Sequence, residues 1–358
     1  MRYTSICALI ILFLLAACSE PAERDAKVGR LHRAFVDDAR TDWANSGPRP
    51  LATTVWYQAA NSSVESEWRI GVFRFGHNAL NAPFDDVRKR PLIILSHGTG
   101  GSAAQLSWLA ESLVSAGYVV AGVNHHGNTA AENTSWPHGF ALPGERARDI
   151  SALIDQLFDD EEIAPHLDAE RVGVAGFSIG GYTALASSGA HFKAADWQLR
   201  CGTQPSNPVC KLPPEAGFTE ADIRNLASSD TTFKQALARD EHPVSDPRIQ
   251  AVYAIAPAFV SLMTKDEFAL LDVPTRVVLA QDDQQILVSE TLSALRVGAP
   301  NATARTIPDA GHYAFLATCT FRGRIFMGTL CRDSRKIDRD QLHARIGADA
   351  ATFFGDSL

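Results

Sequence analysis

The apolar run Val172-Gly173-Val174-Ala175 passes without a break into Gly176-Phe177-Ser178-Ile179-Gly180-Gly181, and a helix-like stretch follows through Leu185. A buried strand that turns into a helix over so few residues leaves the backbone little choice. The residue at the tip takes a strained conformation, and glycines on either side let the incoming strand and outgoing helix pass where side chains would clash. Such a unit belongs at the end of a strand in a sheet covered on both faces. It puts Ser178 at the sheet's edge with its hydroxyl exposed, the setting in which Gly-x-Ser-x-Gly carries a nucleophilic serine. The string alone recurs by chance, so its meaning depends on whether the rest of the chain supplies partners.

From Pro91 onward the chain repeats strand, loop, helix. Leu92-Ile93-Ile94-Leu95 is continuously apolar, as expected of a strand buried on both faces. Ser102 with Gln105 gives a capping-box signal, Leu106, Leu109, Ala110, Leu113 and Val114 recur at helical spacing, and Gly117 closes the segment. Val119 to Val123 reads as the next strand, and Ile150, Leu153, Ile154, Leu157 and Phe158 as a second amphipathic helix. Later strands are predicted at Ala251 to Ala256, Arg276 to Ala280 and Ala302 to Ile307, with a helix at Val288 to Val297. The alternation predicts an α/β fold with a mostly parallel central sheet flanked by helices. Upstream, Thr53 to Gln58 and Trp68 to Phe75 read as an antiparallel pair.

Residues 191–248 break the rhythm with Pro205, Pro208, Pro213 and Pro214, two cysteines and two polar helical stretches around Ala221 and Lys234. An insertion of that length at the sheet's carboxyl edge is expected to sit over the site as a cap. With 358 residues, 46% apolar and 21% charged, the chain has ample material for one large domain, assigned to residues 51–358. The net charge of −8 and the lack of any long basic block argue against a nucleic-acid partner.

The first residues depart from this composition. Arg2 precedes an uncharged stretch from Ile6 to Ala17, too short for a comfortable span and suited to a secretory signal, residues 1–17. It ends Leu15-Ala16-Ala17-Cys18, which resembles a bacterial lipobox, and Ser19 rather than aspartate follows. That resemblance implies lipidation of Cys18, a membrane anchor, and a cell-envelope location, at the outer membrane facing the periplasm. Residues 18–50 are polar with mixed charge and read as a tether, partly helical around Leu31 to Ala39. Export places Cys201, Cys210, Cys319 and Cys331 in an oxidising compartment, where an even number implies disulfides. Three pairings are possible, of which the local one, Cys201 with Cys210 and Cys319 with Cys331, is the simplest. No Cys-x-x-Cys or close histidine pair has the spacing of a metal site.

A serine nucleophile needs a base, an acid that orients the base, and donors for an oxyanion. At an elbow of this type the acid and then the histidine follow the serine in the chain. After the strand ending at Ala280 come Asp282 and Asp283, and after the strand ending at Ile307 come Asp309, Ala310, Gly311 and His312. His312 is the candidate base. Asp309 is too near it in sequence to approach the far side of its ring. Ile179, first residue of the helix, offers one oxyanion donor, and Ser96-His97-Gly98-Thr99-Gly100-Gly101 offers the other through Thr99. His125, His126 and Tyr313 are candidates to line the pocket, the two histidines equally readable as a hydrogen-bonding turn. Trp136, Phe140 and Phe315 are candidate apolar walls or core.

The elbow, the Ser96–Gly101 loop and Ala121-Gly122-Val123-Asn124-His125-His126-Gly127 together resemble the α/β-hydrolase superfamily, most of all dienelactone hydrolase-like and platelet-activating-factor acetylhydrolase-like esterases. The resemblance implies an α/β-hydrolase fold over roughly residues 50–320. It favours Asp283 over Asp282, since family members place the acid three residues past the small residue that ends the strand. Two departures matter. Dienelactone hydrolases use cysteine where Ser178 stands, and the acetylhydrolase acid position after the elbow helix here reads Ala254-Ile255-Ala256-Pro257. The implied function is a serine carboxylic-ester hydrolase acting on a small-molecule ester through an acyl-enzyme, with Ser178, Asp283 and His312 and no metal or organic cofactor. Amidase, thioesterase and acyltransferase chemistry on the same triad, or a catalytically silent binding lipoprotein, are the alternatives.

Overall fold

The computed structural model describes residues 26–212 and 216–358; the signal segment and Cys18 lie outside the described residues. Its strands are β1 (Lys27–Thr41), β2 (Pro48–Ala59), β3 (Ser66–Ile70), β4 (Phe73–Leu80), β5 (Arg90–Ser96), β6 (Val119–Val123), β7 (Leu167–Phe177), β8 (Ile249–Ile255), β9 (Thr275–Ala280), β10 (Thr303–Ile307) and β11 (Thr318–Cys319). They form one sheet in the order β10-β9-β8-β7-β5-β6-β2-β1-β4-β11, with β3 beside β4. From β10 to β6 every neighbouring pair is parallel. Leu92 to Leu95 are completely buried, as their continuous apolar pattern requires of a central strand.

The helices are α1 (Ser107–Ser115), α2 (Pro137–Ala141), α3 (Gly144–Asp159), α4 (Ile179–Ser187), α5 (Trp197–Thr203), α6 (Glu220–Ser229), α7 (Thr231–Arg239), α8 (Val288–Gly298), α9 (Phe321–Phe326), α10 (Gly328–Cys331) and α11 (Arg339–Ser357). The Ser102 capping box does not form, since the Ser102 side chain makes no cap bond and a 3-10 turn over Ala103–Leu106 leads into α1 instead. Helix α11, which the sequence reading did not anticipate, is capped by Asp338, whose side chain accepts the Gln341 N–H at 3.1 Å. Leu342, Ile346, Ala350 and Phe354 recur every four residues along it and are buried. Phe354 packs so closely that a Cβ on Gly173 of β7 would lie 2.7 Å from its ring.

The expected tether is corrected by the structure. Residues 27–41 are strand β1, paired antiparallel with β2 from Lys27↔Ala59 onward, and no helix forms at Leu31 to Ala39. The folded domain therefore begins well before residue 51. Much of the mixed charge that suggested a solvated segment is paired within the folded domain. Arg33 pairs with Asp160 at 2.7 Å, and Arg40 with Asp149 at 2.7 Å, while Val28 and Leu31 enter the core. Nor do Thr53–Gln58 and Trp68–Phe75 pair with each other. Gly71, at φ +57°, turns the second segment into the β3–β4 hairpin, and β2 lies between β1 and β6.

Both disulfides are the local ones, Cys201–Cys210 and Cys319–Cys331, with Cα separations of 5.5 and 5.6 Å, and they fit an exported protein. Among the described residues no helix is long and apolar enough to cross a membrane. Because β5, β7, β9 and β10 run parallel, the loops that follow Ser96, Phe177, Ala280 and Ile307 open on one edge of the sheet.

Candidate active site

Ser178 joins β7 to α4 with φ 59° and ψ −121°, a conformation that L-residues rarely adopt. Three backbone hydrogen bonds hold it there. Its N–H donates to the Ile255 carbonyl at 2.8 Å, and its own carbonyl accepts from Tyr182 and Ala258 at 3.1 and 3.0 Å. The flanking glycines are needed on steric grounds, since a Cβ on Gly176 would lie 2.1 Å from the Gly180 carbonyl oxygen and one on Gly180 2.0 Å from that of Ser96.

His312 opens a short 3-10 turn just beyond β10. Its Nε2 is 3.0 Å from Ser178 Oγ, and its Nδ1 is 2.8 Å from Asp283 Oδ2. The Asp283 side chain is fully buried, and its other oxygen accepts the Gln285 and Ile286 N–H groups at 2.7 and 2.9 Å. These bonds fix the carboxylate, which in turn fixes the imidazole's rotation and leaves Nε2 free to face the serine. Asp282 is exposed and takes no part, and Asp309 is paired with Lys336 at 2.8 Å. The ring of Phe177 lies 4.8 Å from the imidazole.

Above Ser178 is a cavity of about 420 Å³ whose walls include Thr99, Ile179, Phe140, His312 and Tyr313. The Ile179 N–H is the first of α4, one of the donors that a helix cannot satisfy internally. Thr99 approaches from the loop after β5. That loop is clamped from two sides by residues the sequence reading did not single out. The Asn128 side-chain oxygen accepts the Gly100 N–H at 2.6 Å, and the buried Arg146 donates to the His97 carbonyl at 2.9 Å. Asn128 directly follows the quoted segment ending at Gly127, but its target, a backbone N–H on another loop, leaves no trace in local pattern. Phe140 and Tyr313 line the cavity as expected. Trp136 and Phe315 do not; Phe315 is buried against Phe177.

His125 and His126 are not pocket residues. His125 is wholly buried, donating from Nδ1 to Asp149 at 2.9 Å and accepting the Ser96 hydroxyl at Nε2, 2.8 Å away. Burial first, and the Arg146 charge second, pull its pKa down to about 3, so the ring is neutral. His126 accepts the Trp43 backbone N–H at 3.1 Å and bonds Glu132 at 2.9 Å, stacked on the Trp43 ring. Both histidines brace the floor on which the site stands.

The ferulic acid esterase from Streptomyces cinnamoneus superposes on 95% of this chain and 92% of its own, with a TM-score of 0.57 at 20% identity. The chain has the α/β-hydrolase fold. Over this hydrolase fold, residues 38–204 match a family described as PET hydrolase-like, a stretch that holds Ser178 and stops short of Asp283 and His312. Cutinase est2 of Thermobifida alba is 30% identical over 155 residues, 42% of this chain and 48% of its own length. Platelet-activating factor acetylhydrolase of Canis lupus familiaris is 26% identical over 164 residues, 34% of this chain and 36% of its own. The match thus spans about half or less of the length of the curated relatives.

Proposed function

We propose that the chain is a serine-dependent carboxylic-ester hydrolase that works through an acyl-enzyme. The observation that carries this reading is the unbroken hydrogen-bonded line from buried Asp283 through His312 to the strained Ser178 at the base of a cavity. Ser178 Oγ attacks the ester carbonyl as its proton passes to His312 Nε2. Asp283 holds the tautomer that allows this and stabilises the imidazolium. The oxyanion that develops faces the N–H groups of Ile179 and Thr99, the first reinforced by the positive end of α4. His312 then protonates the departing alcohol, and a water activated by the same ring releases the acid. The cutinase and acetylhydrolase relatives support an ester substrate. Residues 191–248 act as the cap, supplying Trp197, Val209, Lys211 and Leu212 to the cavity wall.

A fluorophosphonate is expected to label the protein once, with the added mass on the peptide containing Ser178, and p-nitrophenyl butyrate is expected to be hydrolysed. A protein that neither takes the label nor turns over the ester overturns the proposal. The Leu15–Cys18 sequence supports export by a signal of residues 1–17 and anchoring through lipidated Cys18 at the outer membrane. Cells fed labelled palmitate should transfer label to the wild-type chain; equal labelling of Cys18→Ala would rule out the anchor.

A further inference from the structure

Next to the cavity over Ser178 lies a larger one, about 760 Å³ against 420 Å³. Its deep wall is apolar, built from Ala141 of α2, Ile223 of α6 and Phe233 and Leu237 of α7, and the Cys201–Cys210 disulfide lines it as well. Ala141, Ile223 and Phe233 belong to an apolar cluster separate from the main core. Of the three charged residues on its lining, Glu220 and Arg224 pair with each other at 3.6 Å along α6, and the third, Lys211, stands at the boundary with the Ser178 cavity. The two cavities share two residues, Trp197 and Lys211. The buried indole N–H of Trp197 has no hydrogen-bond partner among the described residues, and the ring touches Phe259 only edge-on, at 6.4 Å and 90°. Trp197 thus stands at the boundary of the two cavities, held by packing and without a polar anchor for its indole N–H.

We infer that this second chamber receives the acyl chain of the ester, which passes Trp197 as it extends from the Ser178 cavity, so the preferred substrates are medium- to long-chain acyl esters. The direction follows from proton transfer. The leaving alcohol must lie within reach of His312 Nε2, and no residue of the His312 loop or of the following segment, Tyr313, Leu316, Met327 or Leu330, lines the chamber. The acyl arm points away from His312, toward Trp197. The chamber's size and apolar wall match a flexible hydrocarbon, whereas the short first cavity alone would favour acetate and butyrate.

This inference rests on Ser178 being the acylated residue, and the test separates the two. With p-nitrophenyl esters kept monomeric in solution, kcat/KM is expected to rise from butyrate to decanoate, approaching about fourfold per methylene. Lengthening the alcohol of alkyl acetates should give no comparable rise. A profile that falls beyond butyrate, or one that follows the alcohol instead, overturns the acyl assignment. Gly202 lines the chamber, and a Cβ there would meet nothing within 4 Å, so Gly202→Phe can fill it without a backbone clash. It is expected to lower the decanoate-to-acetate ratio of kcat/KM by about tenfold or more. Ala227→Phe, from α6 on the chamber's lining, is the second plug should Gly202→Phe fold poorly. Decanoate binding to Ser178→Ala, read by calorimetry with and without the plug, judges the chamber apart from turnover. Weaker binding with the plug supports it, and equal affinity overturns it even if Ser178 is the nucleophile.

Discussion

Ser178→Ala is expected to lower kcat for ester hydrolysis by about 10⁶-fold, because the remaining histidine and aspartate cannot act without the atom they serve. The more discriminating comparison is between the two neighbouring acids. Asp283 is fully buried, 2.8 Å from His312 Nδ1, and held by two backbone N–H groups. Asp283→Asn can present an amide N–H to Nδ1, which selects the wrong tautomer and puts the ring proton on Nε2, where Ser178 needs an acceptor. A loss of about 10⁴-fold in kcat is expected, with KM little changed. Asp282→Asn alters an exposed side chain that does not reach the ring, and kcat should stay near that of the unaltered protein. Single-turnover kinetics on the three variants checks this, and equal losses for the two acids would sink the assignment.

What sequence could reveal here depended on whether a residue's role is set by its neighbours in the chain. Val119–Val123 is recovered residue for residue as β6, since a strand buried on both faces declares itself by composition alone. Ser178, Asp283 and His312 were legible because the end of each parallel strand lies at a common edge, so three separate loops could be placed together before any distance was known. Strand β1 was illegible for the opposite reason. Whether Arg33 and Arg40 are solvated or buried depends on Asp160 and Asp149, more than a hundred residues away, and nothing local distinguishes the cases. The same blindness made His125 a pocket candidate. Its position after β6 was read correctly, yet its ring turns inward to an aspartate on α3 rather than outward to the cavity.

That aspartate carries the second large expectation. Asp149 has no solvent exposure, and its two oxygens accept from Arg40 at 2.7 Å, from Arg49 at 2.7 and 3.0 Å, and from His125 at 2.9 Å. Burial pushes the carboxyl up, but the Arg49 and Arg40 charges outweigh it and hold it well below the ordinary carboxylate range. Asp149→Ala would leave the guanidinium of Arg49, itself buried, without its carboxylate, and should cost about 3–5 kcal/mol of unfolding free energy. The damage should extend to catalysis, because His125 also accepts the hydroxyl of Ser96, from which the Thr99 loop begins. Acid should weaken the same region without a mutation. His125 and His343 have pKa values drawn down to about 3, and His97 well below its usual value, burial being the main cause in each. All three stay neutral in the folded chain and titrate near 6.5 when unfolded. Their contribution is complete above that pH and is lost as pH falls toward the depressed folded values, at about 1.4 kcal/mol per pH unit for each histidine. Asp149 adds its own loss below the ordinary carboxylate pKa, since its folded value is also depressed. Urea unfolding at pH 7, 6 and 5 should therefore show stability dropping more steeply between 6 and 5 than between 7 and 6. A flat profile would mean that the buried histidines take up protons over the same pH range folded as unfolded, and with that the neutral His125 bridge between Asp149 and Ser96 would fall.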